Sequence, residues 1–178
     1  MWANALDNYS LTPNQFPDQV VFYNSKICCI KDQFPKAKHH YLILPRYIMR
    51  GGLESLDKTH LPLLDEFKDQ ADLIIKSIEN KINFKIGFHS VPSMSQLHMH
   101  LISTDFESES LKNKKHWNSF NTAFFIEFQD VIDELEKNGR VVVDTNEREK
   151  LLKNQISCCG QEFRNIPALK VHIKRSHK

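Results

Sequence analysis

The chain has 178 residues, of which 40% are hydrophobic and 26% charged, and 24 Lys and Arg against 22 Asp and Glu give a net charge of +2. This balance is typical of a globular protein and excludes a disordered or fibrous chain. No apolar run approaches the roughly 20 residues of a membrane helix, and residues 1–10 lack the features of a secretory signal. The cysteines form two adjacent pairs, Cys28-Cys29 and Cys158-Cys159, which indicates a reducing compartment rather than a disulfide scaffold.

The charge is distributed unevenly along the chain. Residues 150–178 contain seven basic residues and one acidic residue, a net of +6, so residues 1–149 carry 17 basic and 21 acidic residues, a net of −4. Such an asymmetry predicts an appended module that binds a polyanion. We therefore expect a main domain over residues 1–145, and a linker with a small C-terminal module over residues 146–178.

In chain order, the pattern predicts a short helix over residues 3–9, and then a hairpin of the β-rich runs VVFYNS and KICCIKD. The strand HHYLILP ends at Pro45. Apolar residues at helical spacing predict a long helix between residues 55 and 83, with Asp57 as its N-cap.

Strands predominate in the second half of the main domain. The runs FKIGFHSV and QLHMHLIS are predicted strands, and NTAFFIEF leads into a helix over residues 130–137 that ends at Asn138-Gly139. VVVD is predicted as a short strand, and residues 145–157 as a polar linker or helix. Strands on both sides of one long helix indicate an α+β domain with an antiparallel sheet.

Histidines are concentrated on one predicted strand face. In QLHMHLIS, strand alternation places Gln96, His98 and His100 on one face and the apolar residues on the other. His89 lies on the preceding strand and His40 at the start of another. The strand offers no acidic metal ligand, but imidazole titrates near neutrality and can attack phosphorus or transfer protons. The alternative is a scaffold with ordinary surface or buried histidines.

The block QLHMHLIS resembles the motif His-φ-His-φ-His-φ-φ of the histidine triad nucleotide hydrolases and transferases, where φ is apolar. The runs FPKAKHHYLILPR, GFHSVPSMSQLHMHLIS and LKNKKHWNSFNT are similar, in the same order, to blocks of one branch, the aprataxin family. This resemblance covers about the whole first domain and implies the histidine triad fold. The sequence departs from the motif at its first histidine, which is Gln96 here.

The resemblance implies a two-step displacement. His98 would attack the α-phosphorus of an adenylate and form a covalent AMP-histidine intermediate, from which water then releases AMP. His89 would be the general acid that protonates the leaving phosphate. No cofactor is expected for catalysis.

The resemblance also implies which residues hold the substrate. Ser93 and His100 would hold the phosphate, while Lys36 and His40 would lie beside the nucleotide. Since Gln96 replaces a histidine, we expect its side-chain amide to supply a hydrogen bond to the phosphate.

The run LKNKKHWNSF combines cations with aromatic rings. It carries four basic side chains, Lys112, Lys114, Lys115 and His116. Cations next to stacking surfaces suit a nucleic-acid strand, although such a run is also common on a solvated face. We expect the four to contact DNA and Trp117 to pack in the core. By resemblance, Trp2 would be an aromatic wedge against a DNA end, and the alternative is that its helix packs on the domain.

The C-terminal segment has the residue types of a ββα zinc finger. Four residues are candidate ligands of a structural Zn²⁺ ion, Cys158, Cys159, His172 and His177. Twelve residues separate Cys159 from His172, which is the expected interval. The adjacent cysteines depart from the about two to four residues between thiolates of such fingers, so either Cys158 or another group completes the site. The alternative is a basic helix without zinc. On that helix, Lys170, Lys174 and Arg175 are expected to contact DNA phosphates.

The resemblance and the charge split together predict a DNA 5′-adenylate hydrolase in single-strand break repair, located in the nucleus. Its substrate would be nicked or double-stranded DNA with 5′-adenylated ends left by abortive ligation, its product AMP, and no membrane is involved. One alternative is a small-molecule nucleotidyl hydrolase acting on adenosine phosphoramidates or dinucleoside polyphosphates. Another is a non-catalytic zinc-finger protein that binds DNA ends. The split further predicts that loss of residues 150–178 weakens DNA binding more than cleavage of a small adenylate.

Overall fold

A six-stranded sheet organises the main domain in a computed structural model, which describes residues 2–79 and 82–177. Its strands are β1 (Val20–Tyr23), β2 (Ile27–Lys31), β3 (His40–Pro45), β4 (Phe84–His89), β5 (Met99–Ser103) and β6 (Phe125–Glu127). The strand order is β1-β2-β3-β5-β4-β6, and each neighbouring pair is antiparallel. The predicted α+β class with an antiparallel sheet is therefore confirmed.

The helices of the described residues cover the sheet and connect it to the C-terminal segment. They are α1 (Asp7–Leu11), α2 (Leu61–Ser77), α3 (Lys114–Asn121), α4 (Phe128–Asn138), α5 (Thr145–Leu151) and α6 (Ile166–Ser176). In α2 the buried residues Leu64, Phe67, Ala71 and Ile74 recur at intervals of three and four, which turns one face onto the sheet. Among the described residues, none of the helices combines the length and apolar character needed to cross a membrane.

Several predicted elements differ in the structure, and the helix predicted over residues 3–9 is a 3-10 turn, Trp2–Asn4, followed by α1. VVVD forms no strand: Arg140, directly before it, makes an isolated bridge to Asp57, and no ladder continues from there, although Val141 and Val143 are buried in the core with residues of α2 and α4. Asp57 accepts a hydrogen bond from the Thr59 amide at 2.8 Å and so caps a 3-10 turn, Lys58–His60. This turn leads directly into α2, so Asp57 is not the N-cap of α2 itself.

A ββα finger forms the C-terminal end of the described chain. It consists of β7 (Ile156–Cys158), β8 (Gln161–Phe163) and α6, with β7 and β8 antiparallel. The finger and the main domain bury one common set of apolar side chains, called here the shared cluster: Ala37, Ile102, Phe106, Leu111, Trp117, Phe120, Phe125, Ile156, Ile166, Leu169 and Ile173. The indole Nε1 of Trp117 also donates to the Ser157 carbonyl at 3.1 Å. The division at residue 145 stays a prediction, and apolar packing is continuous across it.

Candidate active site

A pocket of about 510 Å³ opens where β3, β5 and β4 lie side by side. The predicted residues that line it are Lys36, His40, His89, Ser93, His98, His100, Lys112, Lys115 and His116. The sheet register explains the convergence, because His100 on β5 lies opposite Leu42 of β3 and Gly87 of β4. Histidines that are far apart in sequence thereby meet on one face.

His98 is held in a single orientation immediately before β5. Its Nδ1 lies 2.8 Å from the main-chain oxygen of Gln96, which can only accept, so Nδ1 carries the proton and Nε2 keeps its lone pair. The side chain is 5% exposed, and burial lowers the pKa of His98 despite the hydrogen bond to the Gln96 carbonyl, which raises it. A neutral imidazole with a free lone pair is suited to nucleophilic attack.

A relay of hydrogen bonds fixes the proton positions of His40 and His100. The Lys36 amide donates to His40 Nδ1 at 3.2 Å, so the neutral His40 ring carries its proton on Nε2. That Nε2 lies 3.0 Å from His100 Nδ1 and donates to it. The proton of His100 is then on Nε2, a buried atom with no hydrogen-bond partner among the described residues. It is a preorganised donor for an oxygen atom of a ligand.

His89 and Phe120 complete the histidine face. The ring centroid of Phe120 lies 4.7 Å from that of His89 and 5.3 Å from that of His100, so apolar surface surrounds the imidazoles. Burial lowers the pKa of His40 to about 4 and holds the pKa values of His89 and His100 well below their ordinary value. A bound phosphate would reverse this balance, because its negative charge stabilises an imidazolium.

The pocket is lined by both apolar and basic side chains. One wall is apolar and includes Leu6 and Tyr9, contributed by the N-terminal segment, together with Ile30, Leu42 and Met94. The pocket also has a basic rim, formed by Lys112, Lys115 and His116. Lys36 lines the same pocket, and its pKa is lowered by burial. An apolar slot beside histidines and a cationic rim matches a nucleoside joined to a phosphate chain.

Gln96 lies elsewhere than predicted. Its side chain is fully buried and is engaged with Met49, Tyr47 and Ser10 rather than facing the pocket. The strand β5 begins only at Met99, so strand alternation does not extend back to residue 96. The structure therefore does not place the Gln96 amide where it would contact a phosphate.

The remaining predicted DNA contacts fall into different environments. Lys114 donates a hydrogen bond to the Lys153 carbonyl, and Lys170 donates one to the Ser108 carbonyl, both at 2.7 Å. Each bond connects the main domain to the C-terminal segment. Lys174 and Arg175 are exposed in the last turn of α6. Trp2 belongs to a 3-10 turn, Trp2–Asn4, and the predicted role of its side chain lies outside what the structure describes.

The four predicted metal ligands come together in the finger. One donor atom each from Cys158, Cys159, His172 and His177 lies within 4.8 Å of the others. The thiol sulfurs lie 3.4 and 3.2 Å from Nε2 of His177. His172 Nε2 is buried and has no hydrogen-bond partner within the described chain. Two thiols and two imidazoles are a donor set of tetrahedral zinc, so these residues fit a metal ion.

Backbone conformation explains how adjacent cysteines can both reach this point. Cys159 has a φ of +52° and Gly160 one of +74°, so the chain turns through the left-handed region directly after β7. The turn brings the two sulfurs to 3.7 Å from each other. The wider spacing of common fingers would require residue 156 as a ligand, but Ile156 is buried in the shared cluster.

Sequence reasoning missed α3 and the ring that it positions. The pattern of cations and aromatic rings predicts no helix over this segment, yet Asn113 caps one by accepting from the His116 amide at 3.1 Å. The helix turns Trp117 and Phe120, three residues apart, into the shared cluster. An Asn followed by apolar residues at that spacing was the available signal.

Two protein-family models match the chain. One, described as "Scavenger mRNA decapping enzyme C-term binding", matches residues 8–116, and the other, "C2HE / C2H2 / C2HC zinc-binding finger", matches residues 121–177. The first contains all of the pocket histidines and the basic rim, whereas Leu6 and Phe120 of the pocket lie outside it, and the second contains the metal cluster.

The chain is similar to several curated and structurally characterised proteins. It is 43% identical to aprataxin of Danio rerio over 90% of this chain and 50% of that protein, and several other curated relatives are also much longer than the chain. It is 36% identical to an aprataxin-like protein of Saccharomyces cerevisiae over 97% of this chain and 94% of the relative. The crystal structure of the aprataxin ortholog Hnt3 in complex with DNA superposes with a TM-score of 0.80 at 27% identity, over 99% of this chain and 95% of that one.

Proposed function

Since the chain belongs to the aprataxin family, we propose that it removes AMP from the 5′-adenylated DNA ends that abortive ligation leaves. In this proposal the enzyme acts on nicked or double-stranded DNA during single-strand break repair in the nucleus. The observation that carries it is the pocket, which has apolar and basic lining and contains the His98 Nε2 lone pair together with the His100 Nε2 donor, an atom with no partner among the described residues. The similarity to a structure that contains DNA supports a DNA substrate.

The first step is attack on the α-phosphorus. The Nε2 lone pair of His98 forms a bond to phosphorus as the bond to the oxygen of the DNA 5′-phosphate breaks. His89 supplies the proton that the leaving oxygen takes up, once the incoming phosphates have favoured its charged form. His100 Nε2–H and the Lys36 ammonium stabilise the negative charge that develops on the phosphoryl oxygens.

The second step restores the enzyme. Water attacks the phosphorus of the His98 adenylate, the P–N bond breaks, and AMP leaves while His89 accepts the proton of the water. The AMP base lies on the apolar wall that includes Leu6 and Ile30, and the DNA strand leaves past the basic rim. Ser93 lines the same pocket and is available to hold a phosphate oxygen.

The test of this proposal is AMP release by the wild-type protein from nicked DNA with a 5′-adenylate, compared with release from dinucleoside polyphosphates. We expect AMP and DNA with a free 5′-phosphate as products, with a higher kcat/KM for the DNA. Cleavage of the free dinucleotides without any cleavage of the DNA would favour a small-molecule hydrolase. DNA binding without release of AMP from either substrate would favour a non-catalytic end-binding protein.

Activity is expected to persist into mildly acidic solution. His98 must be neutral to attack, and burial lowers its pKa from the ordinary value of 6.5, so the neutral nucleophile remains below that pH. In the free enzyme, kcat/KM should therefore decline on the acidic side with a midpoint below 6.5. The measurement is kcat/KM for adenylated DNA as a function of pH at constant ionic strength. A midpoint above 6.5 would contradict a buried neutral nucleophile.

We further propose that the four-residue cluster of the finger holds a structural Zn²⁺ ion. Bound zinc would crosslink β7 and its turn to α6, and it takes no part in the phosphoryl transfer. Replacing Cys159 by serine is expected to abolish stoichiometric zinc, as measured by elemental analysis of the purified protein. Cys28→Ala is the matched control, because Cys28 is buried in β2 away from the cluster. Undiminished zinc in Cys159→Ser would exclude Cys159 as a ligand.

A further inference from the structure

The side chain of Gln96 joins three parts of the molecule behind the pocket. It is fully buried, and its Oε1 accepts a hydrogen bond from the Met49 amide at 2.9 Å. Its Nε2 donates to the Tyr47 carbonyl at 2.8 Å and to the Ser10 hydroxyl at 3.1 Å. Ser10 is itself fully buried in α1. The amide thus ties residue 96 to the segment after β3 and to the N-terminal helix.

The main chain of the same residue orients the nucleophile. The Gln96 oxygen is the acceptor, at 2.8 Å, that fixes the proton of His98 on Nδ1. Since the strand begins only at Met99, residues 96–98 are not held by a continuous ladder. The main chain contributes an isolated bridge between Gln96 and Arg50 and a hydrogen bond from the Leu97 amide to the Met49 oxygen at 2.8 Å. The Gln96 side chain adds three hydrogen bonds, one of them to the amide of the same Met49.

We infer that the side chain of Gln96 is a positioning element, which holds the carbonyl that orients His98, and that it does not bind phosphate. This inference rests on the proposed function, in which His98 is the nucleophile. It also gives the departure from the histidine motif a physical meaning. The side chain of residue 96 is required to form hydrogen bonds with Met49, Tyr47 and Ser10, and it does not contact the substrate.

A primary amide suits these partners better than the alternatives. The site requires one acceptor and two N–H donors, and a glutamine side chain offers both from one planar group. A neutral imidazole offers one acceptor and one donor, so Gln96→His retains at most two of the three bonds. Gln96→Leu retains none and leaves the Met49 amide buried without a partner.

The kinetic test compares these two variants on 5′-adenylated nicked DNA and on adenosine 5′-phosphoramidate. For Gln96→Leu we expect kcat to fall about 30-fold on both substrates, with KM changed by no more than about threefold. Gln96→His should lie between the wild type and Gln96→Leu. Gln70→Leu is the control, because Gln70 is a buried glutamine on α2 outside the pocket, and it should affect thermal stability without lowering kcat. An unchanged kcat in Gln96→Leu, or an equal loss in Gln70→Leu, would overturn the inference.

A second readout does not depend on turnover. Nitrogen NMR spectra of the histidine rings report which ring nitrogen carries the proton. In the wild type we expect His98 as the pure Nδ1–H tautomer, and in Gln96→Leu a mixture of tautomers, while Gln70→Leu should resemble the wild type. A pure Nδ1–H tautomer in Gln96→Leu would overturn the inference. If the wild type releases no AMP from either substrate, the proposed function fails, and the spectra still decide whether Gln96 orients His98.

Discussion

Replacing His98 by alanine is expected to abolish AMP release from 5′-adenylated DNA, with a loss of about 10⁴-fold or more in kcat. The variant lacks the proposed nucleophile, the Nε2 lone pair that the hydrogen bond from Nδ1 to the Gln96 carbonyl leaves free on His98. The stabilising donors remain, so substrate binding should change much less than turnover. The measurement is single-turnover release of AMP from nicked, adenylated DNA, with binding followed separately by fluorescence anisotropy.

The control for this experiment is His60→Ala. His60 lies on the 3-10 turn before α2 and outside the pocket, so its replacement removes a histidine without touching the histidine face. It should release AMP at the wild-type rate. If His98→Ala were to release AMP as fast as the wild type, His98 would not be the nucleophile.

Leu169→Ala is expected to destabilise the main domain and the finger together. Leu169 of α6 is fully buried in the shared cluster, and truncating such a side chain costs about 2–5 kcal/mol of unfolding free energy. The same cluster contains Phe120, whose ring contacts His89 and His100. Near the lowered unfolding temperature of the variant, loss of this packing should therefore reduce turnover of both substrates, the small adenylate and the 5′-adenylated DNA. The measurements are thermal unfolding and turnover of both substrates across that range.

Removing charge from the finger should have a different effect. Lys174→Gln with Arg175→Gln removes two exposed cations of α6 and leaves the shared cluster intact. This variant should weaken DNA binding and reduce its salt dependence by about one unit of slope per lost phosphate contact, without slowing cleavage of a small adenylate. If Leu169→Ala acted in the same way, affecting DNA alone and leaving stability unchanged, the shared cluster would not couple the finger to the pocket.

This comparison revises what the charge split predicts. From the net charges of −4 and +6 alone, residues 150–178 would be a DNA-binding module that can be removed without affecting the main domain. The structure supports that interpretation for exposed charges such as Lys174, but Ile166, Leu169 and Ile173 belong to the same core as Trp117. Loss of the whole segment would expose this core, so we expect it to impair both substrates.

Much of the fold follows from local patterns. Alternation and turn residues locate the strands, and the three- and four-residue spacing from Leu64 to Ile74 locates α2, because burial of one face imposes these periods on the sequence. The convergence of His40, His89, His98 and His100 was predictable by resemblance, since the two sequence blocks that carry them match the family and occur in its order.

The parts that could not be predicted depend on tertiary contacts. The direction of Gln96 is decided by Ser10, Tyr47 and Met49, which lie far from it in sequence. The approach of Cys158 and Cys159 depends on a left-handed turn that the residue types do not specify, since only the following Gly160 favours that region. The three- and four-residue spacing of Ile166, Leu169 and Ile173 indicates a buried face of α6, but it does not specify that the main domain covers this face.

The most direct test of the central claim is to identify the residue that carries AMP during turnover. Wild-type protein would be mixed with 5′-adenylated nicked DNA, quenched within one turnover at alkaline pH, where phosphorus–nitrogen bonds to histidine survive, and mapped by peptide mass spectrometry. We predict adenylate on His98 alone, absent from His98→Ala and present after mixing with adenosine 5′-phosphoramidate. Adenylate on another residue, or rapid release of AMP with no protein-bound adenylate at any time, would contradict the account.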